Sequence, residues 1–267
     1  MLTNYHTHTT YCDGKDTPET MALWAAQKGF DALGFSGHGY TLMDTSFCMR
    51  DMEGYKADIR RLQQKYRNRM QIYMGVEEDM IHPVKREEFD YIIGSAHYVC
   101  KDGKYYSIDG GEDCFQTCLA LFDGDPLALA RGYFEPFCAY IQKRKPDIVG
   151  HFDLLTKYDE ALGGPLLSDP AYLQIARDYL ALALESDCIF EVNTGAMARG
   201  IRTSAYPCEE LLHLMKEKDA KVILSSDCHN ARQLDFGLAQ TRQLLKDVGF
   251  QKVYNLYDGR FQAEDLV

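Results

Sequence analysis

A regular alternation of short apolar runs with helical segments is the feature that most constrains the fold of this chain. One apolar run lies directly before His6, and six more lie at residues 32–36, 72–76, 91–95, 148–150, 189–192 and 222–225. Strands that alternate with helices form parallel sheets with right-handed crossovers. The seven β-then-α units therefore predict an α/β fold with a closed or nearly closed barrel, and a doubly wound open sheet is the alternative.

The helices are predicted from their start and stop signals. Asp16-Thr17-Pro18-Glu19 offers a capping residue, a first-turn proline and an acid, and the helix it opens is expected to stop at Gly29. Further helices are expected near 50–68, 112–122, 126–144, 169–185, 207–218 and 234–248, with a strand-like piece from Lys252 to Leu256 at the end.

The segment 100–146 interrupts the alternation. Residues 101–113 are acidic and glycine-rich and are predicted to form a loop, which leads into the helices near 112–122 and 126–144. We interpret the segment as a lid-like helical elaboration at the barrel mouth. The whole chain, residues 1–267, is then expected to be a single domain.

Charge and composition argue against several classes of protein. The net charge of −11 disfavours a nucleic-acid groove, which needs clustered Lys and Arg. A small phosphorylated substrate remains compatible with this charge, because a metal site supplies local positive charge. The chain has no apolar run of roughly eighteen residues and no charged-then-apolar leader, so we expect neither a membrane span nor a signal peptide.

Nine cysteines without a Cys-x-x-Cys pair favour reduced thiols in a cytoplasmic protein. Association into a homo-oligomer stays open at the level of sequence.

Polar residues with metal-binding side chains follow the predicted strands. Six of the eight histidines, together with two acids, come at the C-terminal ends of these strands: His6, His8, His38, His97, His151 and His229, with Glu77 and Asp227. In a parallel barrel those ends converge on one face, where catalytic groups collect. Side chains more than 200 positions apart in the sequence are thus expected to share one pocket.

Each of these residues also has a purely structural interpretation. His6-x-His8 is compatible with an ordinary strand pair, Glu77 with a solvated acidic turn that continues through Glu78 and Asp79, and Asp227 with a turn cap. Cys228 is expected to face away from its neighbours, because successive strand residues alternate. The two remaining histidines, His82 and His213, are expected at the surface. Only the coincidence across five or six strands favours a common site.

The number of candidate ligands indicates more than one ion. A catalytic zinc uses three or four protein ligands, so eight are too many for one metal. Two or three divalent ions of Zn, Mn or Fe that share a carboxylate fit the count better. Ions about 4 Å apart hold a bridging hydroxide and clamp phosphoryl oxygens, which favours hydrolysis of a phosphate ester.

These motifs, in this order, resemble the PHP (polymerase and histidinol phosphatase) family. The match runs from residue 2 to about residue 240 and includes the motifs Gly150-His151-Phe152-Asp153 and Asp227-Cys228-His229. Within the family, the stand-alone length and Gly94-Ser95-Ala96-His97 resemble the monofunctional histidinol-phosphate phosphatases of histidine biosynthesis. The resemblance implies a distorted (β/α)7 TIM-like barrel with a trinuclear metal site at the C-terminal ends of the strands.

The resemblance also implies a distribution of ligands over three ions. The first ion would be held by His6, His8, Glu77 and Asp227; the second by Glu77, His97 and His151; the third by His38 and His229. Relatives carry a further histidine after the first motif, and here the nearest candidate is Asp13, an oxygen ligand. The occupancy and identity of the third ion therefore stay open.

For the chemical step we expect a hydroxide that bridges the first two ions to attack phosphorus. Arg199 is the first candidate for binding the phosphoryl group, followed by Lys157 and Arg202. Asp109, at the end of an apolar stretch in the lid-like segment, is the candidate general acid if its pKa is raised, and His38 is the alternative donor.

Other functions remain as alternatives. A PHP phosphoesterase acting on a nucleotide or another small phosphate ester is the first, and exonuclease activity is disfavoured by the net charge. A metal-stabilised scaffold without catalysis is the second. It is disfavoured because all eight motif positions carry competent ligands.

Overall fold

The computed structural model describes residues 1–266, and in this range seven parallel strands form one sheet that curls into a barrel. The barrel strands are β1 (Thr3–Asn4), β2 (Ala32–Phe35), β3 (Gln71–Asp79), β4 (Tyr91–Ser95), β7 (Ile148–Val149), β8 (Ile189–Asn193) and β9 (Val222–Ser225). They lie side by side in the order β1-β2-β3-β4-β7-β8-β9. The predicted barrel of seven β/α units is confirmed, and the open doubly wound sheet is wrong.

The first and last strands meet just beyond their ends and nearly close the barrel. Thr7 and Cys228 form an isolated parallel bridge. The His8 amide donates to the Cys228 carbonyl at 2.9 Å, and the Cys228 amide donates to the His6 carbonyl at 3.3 Å. The closure therefore lies at the C-terminal mouth, next to the two histidine motifs.

The helices flank the barrel, and most begin and end where their signals predict. They are α1 (Pro18–Lys28), α2 (Met52–Tyr66), α3 (Glu112–Leu121), α4 (Pro126–Arg144), α5 (Pro170–Leu184), α6 (Gly195–Ala198), α7 (Glu209–Glu217) and α8 (Leu238–Val248). In α1 the Thr17 hydroxyl accepts from the Thr20 amide at 3.2 Å, and Gly29 takes a left-handed conformation with φ 78°. In residues 1–266 no helix combines the length and apolarity needed to cross a bilayer.

The segment 100–146 differs in part from the sequence expectation. The expected loop is wrong at its start, where β5 (Tyr98–Lys101) and β6 (Lys104–Ser107) pair as an antiparallel hairpin with its turn at Asp102-Gly103. The two helices that follow, α3 and α4, are confirmed with almost the predicted bounds. The hairpin turns the chain back towards the barrel mouth, since the Ile108 amide donates to the His97 carbonyl at 3.0 Å.

The opposite end of the barrel is filled by aromatic side chains and covered by a C-terminal hairpin. This hairpin joins β10 (Lys252–Tyr257) to β11 (Arg260–Asp265), and the second strand was not predicted. The Tyr5 hydroxyl donates to the Leu256 carbonyl at 2.7 Å. Tyr91 packs so closely on the backbone that a Cβ at Gly75 would lie 2.2 Å from its ring. The chemistry-bearing side chains are thus confined to the other end.

Candidate metal centre

Backbone bridges beyond the regular strands carry the candidate ligands into one place at the barrel mouth. His38, on the chain that continues β2, pairs with Glu77 of β3 in a parallel bridge. Strand β3 itself continues to Asp79, so Glu77 lies inside the strand and not at its end as expected. Its two acidic neighbours are buried as well. The alternative of a solvated acidic turn at 77–79 is therefore wrong.

Glu77 is the centre of the cluster. It is 2 % exposed, and both carboxylate oxygens face imidazole nitrogens. The distances from its nearer oxygen are 3.2 Å to His6 Nε2, 3.6 Å to His8 Nε2, 2.9 Å to His38 Nδ1, 3.3 Å to His97 Nε2 and 3.0 Å to His151 Nε2. Burial alone would raise the pKa of Glu77, but His6, His38 and the other imidazoles hold it well below its ordinary value. The group is therefore a carboxylate that five imidazoles share.

Asp227 lies on the other side of the first histidine motif. Its Oδ1 is 3.2 Å from His8 Nε2 and 3.7 Å from His6 Nε2, while Arg199 Nη2 is 3.2 Å from its Oδ2. Burial opposes ionisation of Asp227, yet the charges of Arg199 and His6 hold its pKa well below the ordinary range.

Asp13 joins a third group at the rim of the mouth. Its Oδ2 is 3.2 Å from His229 Nε2, and its Oδ1 is 3.6 Å from His8 Nδ1 and 3.7 Å from His38 Nε2. Burial, with the neighbouring imidazoles of His229 and His38, lowers the pKa of His8 to about 3. His8 is therefore neutral near pH 7, the form that binds a metal.

All nine candidate ligands come together in four overlapping sets. In each set one ligand atom per residue lies within 4.8 Å of the others: His6-Glu77-His151, His6-His8-Asp227, His38-Glu77-His97 and His8-Asp13-His38-His229. Glu77 belongs to two of the sets, as a carboxylate shared between ions would. The grouping differs in detail from the distribution implied by the resemblance, because His38 lies closer to Glu77, at 2.9 Å, than to Asp13, at 3.7 Å.

Unpartnered polar atoms provide a direct test of whether ions fit here. His6 Nε2, His8 Nε2 and Glu77 Oε2 are buried and have no hydrogen-bond partner within residues 1–266. Buried polar atoms without partners are rare and costly, and these three converge on one point. Imidazole nitrogens and a carboxylate oxygen are ligands that suit first-row transition metals. The residues therefore fit divalent ions.

Two buried acids that the sequence analysis missed orient the imidazoles from behind. Glu191 Oε1 is 2.6 Å from His6 Nδ1, and its Oε2 accepts from the His151 amide at 2.9 Å. Asp79 Oδ2 is 3.1 Å from His97 Nδ1 and accepts from the His97 amide at the same distance. A carboxylate on one imidazole nitrogen fixes the tautomer and directs the other nitrogen to a metal.

A sequence signal for both acids exists. Glu191 interrupts the apolar run of β8 and has the same strand parity as Asn193, and Asp79 has the parity of Glu77 two residues earlier. Because side chains on one face of a strand recur every second residue, Asp79 is placed on the side of Glu77, and Glu191 on the side of Asn193 at the C-terminal end of β8.

A cavity of about 200 Å³ opens above the cluster; we call it the reaction cavity. It is lined by Asp13, His38, Glu77, His97, Asp109, His151, Leu154, Lys157, Arg199, Asp227 and His229. Of the three cations expected to bind phosphate, two therefore reach it. Arg199 also donates to the Asp227 carbonyl at 3.2 Å, which places its guanidinium against the candidate metal ligands.

Arg202 does not line the reaction cavity. It is 3 % exposed, donates to Thr156 Oγ1 and to Ser204 Oγ, and packs on the ring of Tyr206 with 4.5 Å between the guanidinium carbon and the ring centroid. The expectation that Arg202 binds substrate is not supported, because these partners hold the side chain inside the protein.

Asp109 lines the cavity but lacks the raised pKa expected for a general acid. Lys157 Nζ is 3.2 Å from Asp109 Oδ2 and donates to the Asp109 carbonyl at 2.8 Å. Burial would raise the pKa of Asp109, but Lys157 and His97 together lower it below the ordinary value. Asp109 is therefore a carboxylate at neutral pH.

Three further expectations concern residues outside the cluster. Cys228 is 1 % exposed and packs in a hydrophobic cluster, and it belongs to none of the metal-binding sets of residues 1–266. The nine cysteines are all free thiols. His213 is exposed, whereas His82 is only partly exposed and lies with its Nδ1 3.0 Å from the Thr41 hydroxyl.

The chain is similar to one protein family over most of its length. The family model described as "PHP domain" matches residues 4–195. Two relatives bear the name "Probable histidinol-phosphatase". The protein of Deinococcus radiodurans is 28 % identical over 94 % of this chain and 95 % of its own length. That of Schizosaccharomyces pombe is 26 % identical over 88 % of this chain and 82 % of its own.

Solved structures share the fold. The HisK protein of Listeria monocytogenes matches with a TM-score of 0.77 and 22 % identity over 89 % of this chain and 99 % of its own. The histidinol phosphate phosphatase of Lactococcus lactis, crystallised with Zn, L-histidinol and phosphate, matches with a TM-score of 0.72 and 20 % identity over 98 % of both chains. At these identities the likeness supports the distorted TIM-like barrel alone.

Proposed function

This chain is a member of the PHP domain family, and on that premise we propose that it is a metal-dependent phosphomonoesterase that hydrolyses L-histidinol phosphate to L-histidinol and phosphate. The observation that carries the proposal is the set of buried, unpartnered nitrogen and oxygen atoms around Glu77 at the floor of the reaction cavity. The names of the Deinococcus and Schizosaccharomyces relatives, and the histidinol and phosphate bound by the Lactococcus protein, support this choice of substrate.

We propose two or three divalent ions, of Zn, Mn or Fe, as the cofactor. The nine side chains of the four sets would hold them: His6, His8, Asp13, His38, Glu77, His97, His151, Asp227 and His229. When bound, such ions supply Lewis acidity towards phosphoryl oxygens and lower the pKa of water. Glu191 and Asp79 keep the imidazoles of His6 and His97 in the orientation that ligation requires.

The phosphoryl group is proposed to lie between the ligands and the two cations of the reaction cavity. Arg199 presents a guanidinium whose fork matches two phosphoryl oxygens, and its contact with Asp227 fixes its position. Lys157 provides a second positive charge in the lining of the reaction cavity, next to Asp109. Charges held in advance where negative charge develops stabilise the transition state without reorganisation.

The leaving alkoxide must receive a proton, and we propose that the Asp109–Lys157 pair delivers it. The Lys157 ammonium carries transferable protons in the cavity, and Asp109 holds that ammonium through both its carbonyl and its carboxylate. Asp109 then acts as the group that orients the donor, since its own pKa is lowered. His38, the alternative donor, lies 2.9 Å from Glu77 and fits a ligand role better.

We further propose that residues 100–146 belong to the same domain as the barrel and form a wall of its mouth. Asp109 lies in this segment and lines the reaction cavity beside residues from the barrel strands. The segment therefore contributes to the site rather than folding apart from it.

The test is phosphate release from L-histidinol phosphate, a mononucleotide and an aryl phosphate by protein that is stripped of metal and refilled with Zn, Mn or Fe. The proposal predicts a metal-dependent kcat/KM for L-histidinol phosphate that is higher by about two orders of magnitude or more, on the order of 3 kcal/mol of transition-state binding. Comparable slow rates on all three would favour a general phosphoesterase. Absence of hydrolysis in metal-loaded protein would contradict catalysis altogether.

A further inference from the structure

The two cations of the reaction cavity come from two neighbouring loops at the barrel mouth. Lys157 lies in the loop after β7, and Arg199 lies in the loop after β8. We call residues 150–160 the β7 loop and residues 194–206 the β8 loop. Because neither cation lies in a strand, the pairing of β7 with β8 does not by itself fix the distance between them. That distance matters, since under the proposed function one phosphoryl group contacts both side chains.

Arg202 joins the two loops in the interior of the protein. It belongs to the β8 loop, and its Nη1 donates to Oγ1 of Thr156 in the β7 loop. The Thr156 hydroxyl in turn donates to the Asp153 carbonyl at 2.8 Å, within the β7 loop itself. Thr156 is completely buried and directly precedes Lys157. A guanidinium of the β8 loop thus anchors the part of the β7 loop that carries Lys157.

The other contacts of Arg202 hold its guanidinium in one place. Nη2 donates to Ser204 Oγ at 3.1 Å, and the guanidinium carbon lies 4.5 Å from the centroid of the Tyr206 ring. Burial opposes the charge of Arg202, but Asp153 and Tyr206 outweigh burial and raise the pKa of Arg202. A buried ionic group adds little net stability, because desolvation offsets its attraction. A requirement for one arrangement of the two loops explains these contacts better than stability does.

A second link between the loops lies nearer the surface. Both carboxylate oxygens of Glu160, at the end of the β7 loop, accept from the Thr203 amide, at 3.1 and 3.0 Å, and Thr203 Oγ1 donates to Oε1 at 3.1 Å. The same Oε1 is 3.9 Å from Arg202 Nε. Positions 156 and 160 of the β7 loop are therefore joined to positions 202 and 203 of the β8 loop, on both sides of Lys157.

The β8 loop connects these links to Arg199 over three residues. The Arg199 amide donates to the Gly195 carbonyl at 3.1 Å, and the Arg202 amide donates to the Ala196 carbonyl at 3.3 Å. Gly200, between the two arginines, has φ 69°, a left-handed conformation that favours glycine. This tight turn places Arg199 in the lining of the reaction cavity and Arg202 in the interior.

We infer that Arg202 and Glu160 are positioning residues that join the β7 and β8 loops and thereby set the separation of Lys157 and Arg199 to fit one phosphoryl group. Arg202 does not touch the substrate; it acts through Thr156 and through its own loop. The inference rests on the proposed function, because that function places the phosphoryl group between the two cations.

Two variants remove the links at different depths. Arg202→Lys keeps a positive charge near Asp153 but loses the planar fork that reaches Thr156 and Ser204 together. Glu160→Ala removes the outer link, and the Glu160 side chain is 32 % exposed, so its loss leaves the core unaltered. Glu160→Ala therefore tests the inference even if Arg202→Lys does not fold.

Each variant is made alone and combined with Lys157→Ala, and Glu135→Ala, which removes an exposed acid on α4, is the matched control. The measurements on metal-loaded protein are kcat/KM for L-histidinol phosphate, binding of inorganic phosphate by calorimetry, and bound metal per chain. The separation of two cations matters only when both are present. The effect of a positioning residue is therefore expected to vanish in the Lys157→Ala background, whereas a general loss of structure would persist there.

Glu160→Ala is expected to lower kcat/KM by about three- to tenfold and Arg202→Lys by about 10- to 100-fold, because a small displacement of a binding group is costly in catalysis. Both variants are expected to weaken the binding of inorganic phosphate and to keep the wild-type metal content, since neither residue belongs to a metal-binding set of residues 1–266. Combined with Lys157→Ala, each change is expected to cost less than about twofold. Equal losses in both backgrounds, a loss of bound metal, or wild-type kinetics in both variants would overturn the inference.

Inorganic phosphate separates this inference from the proposed function. If L-histidinol phosphate is hydrolysed, but kcat/KM and phosphate binding in both variants match wild type, the positioning is wrong and the phosphatase stands. If L-histidinol phosphate is not hydrolysed, while both variants weaken phosphate binding only when Lys157 is present, the proposed function is wrong and the positioning stands. Metal-loaded wild-type protein that binds no phosphate would contradict both.

Discussion

At the scale of single residues, the three consecutive acids of β3 illustrate how alternation separates roles. Glu77 and Asp79 face the mouth, where one is shared by the imidazoles and the other orients His97. Glu78 between them faces outward and accepts from Arg144 Nε and Nη2, each at 2.7 Å, and from the Tyr140 hydroxyl at 2.6 Å. One run of like charges thus contributes a candidate metal ligand, a group that orients His97 and a structural ion pair.

The role of Glu191 gives the first prediction. Glu191→Gln keeps an acceptor for the His151 amide but loses the negative charge opposite His6 Nδ1. We expect metal affinity to fall by about 10- to 100-fold, the usual effect of removing such a partner. Competition with a chelator of known affinity measures this directly. Equal metal affinity in Glu191→Gln and wild type would contradict the orienting role.

The second prediction concerns protons. Burial disfavours the charged form of His6, but Glu191 and Glu77 outweigh it and raise the pKa of His6 well above the ordinary value. For His97, burial is likewise outweighed, by Glu77 and Asp79, and its pKa is raised. Both imidazoles are therefore protonated in the metal-free protein at neutral pH, and ligation requires the neutral form.

Metal binding near pH 7 is accordingly expected to release protons, and affinity is expected to weaken as pH falls below these raised pKa values. Calorimetry in buffers of different ionisation enthalpy counts the protons. Binding heats that are the same in every buffer would show that no proton leaves, and would contradict the assignment of His6 and His97 as ligands.

At the scale of elements, the site depends on how α4 is fixed to the barrel. Arg144 near the end of α4 also donates to the Val84 carbonyl at 2.7 Å, so that the guanidinium joins α4, β3 and the chain after β3. The Glu78 carboxylate is completely buried, and its second oxygen accepts from the Val84 amide at 2.6 Å. Glu78 therefore joins the C-terminal end of the lid-like segment to β3.

The third prediction follows from that anchor. Glu78→Gln leaves the partly exposed Arg144 without its charged partner, and we expect a loss of about 1–3 kcal/mol in the free energy of unfolding. For a chain of this size that corresponds to a fall in Tm of roughly 2–12 °C. Thermal melts of metal-loaded protein measure it, with the exposed Glu87→Gln as control. A lowered metal affinity in Glu78→Gln, with an unchanged Tm, would contradict the division of roles along β3.

Elements were largely predictable from the sequence, and particular residues show where prediction failed. Pro18 and Gly29 define α1 locally, so its bounds were found. The β5–β6 hairpin was missed because its strands are only four residues long and take their register from pairing across Asp102-Gly103. The orientations of Arg199 and Arg202 were also beyond prediction, because loop side chains depend on tertiary partners such as Asp227 and Tyr206.

At the scale of the whole molecule, the barrel topology brings residues from both ends of the sequence together. The bridge between Thr7 and Cys228 places the first histidine motif beside Asp227, and β3 contributes Glu77 from across the sheet. This convergence was predictable because parallel strands present their C-terminal ends on one face. The cost in stability is a set of buried polar atoms, His6 Nε2, His8 Nε2 and Glu77 Oε2, that have no hydrogen-bond partner in residues 1–266.

Metal removal is therefore expected to destabilise the fold. A ligand that binds only the folded state at 100 times its dissociation constant adds about 2.7 kcal/mol of stability. We expect chelation to lower Tm measurably, and re-addition of the ion to restore it, in differential scanning calorimetry. Identical melting curves with and without chelator, for protein shown to contain metal beforehand, would contradict this coupling.

The central claim is that the cluster around Glu77 is a multinuclear metal centre that catalyses phosphate-ester hydrolysis. Its most direct test is a titration of metal-stripped protein with Zn or Mn, in which bound ions per chain and phosphate release from L-histidinol phosphate are measured on the same samples. We predict that activity rises with bound metal and levels off at two or three ions per chain, and that Glu77→Gln binds fewer ions and loses activity by about 1,000-fold or more. Full activity in protein without metal, or unaltered metal content and activity in Glu77→Gln, would contradict the claim.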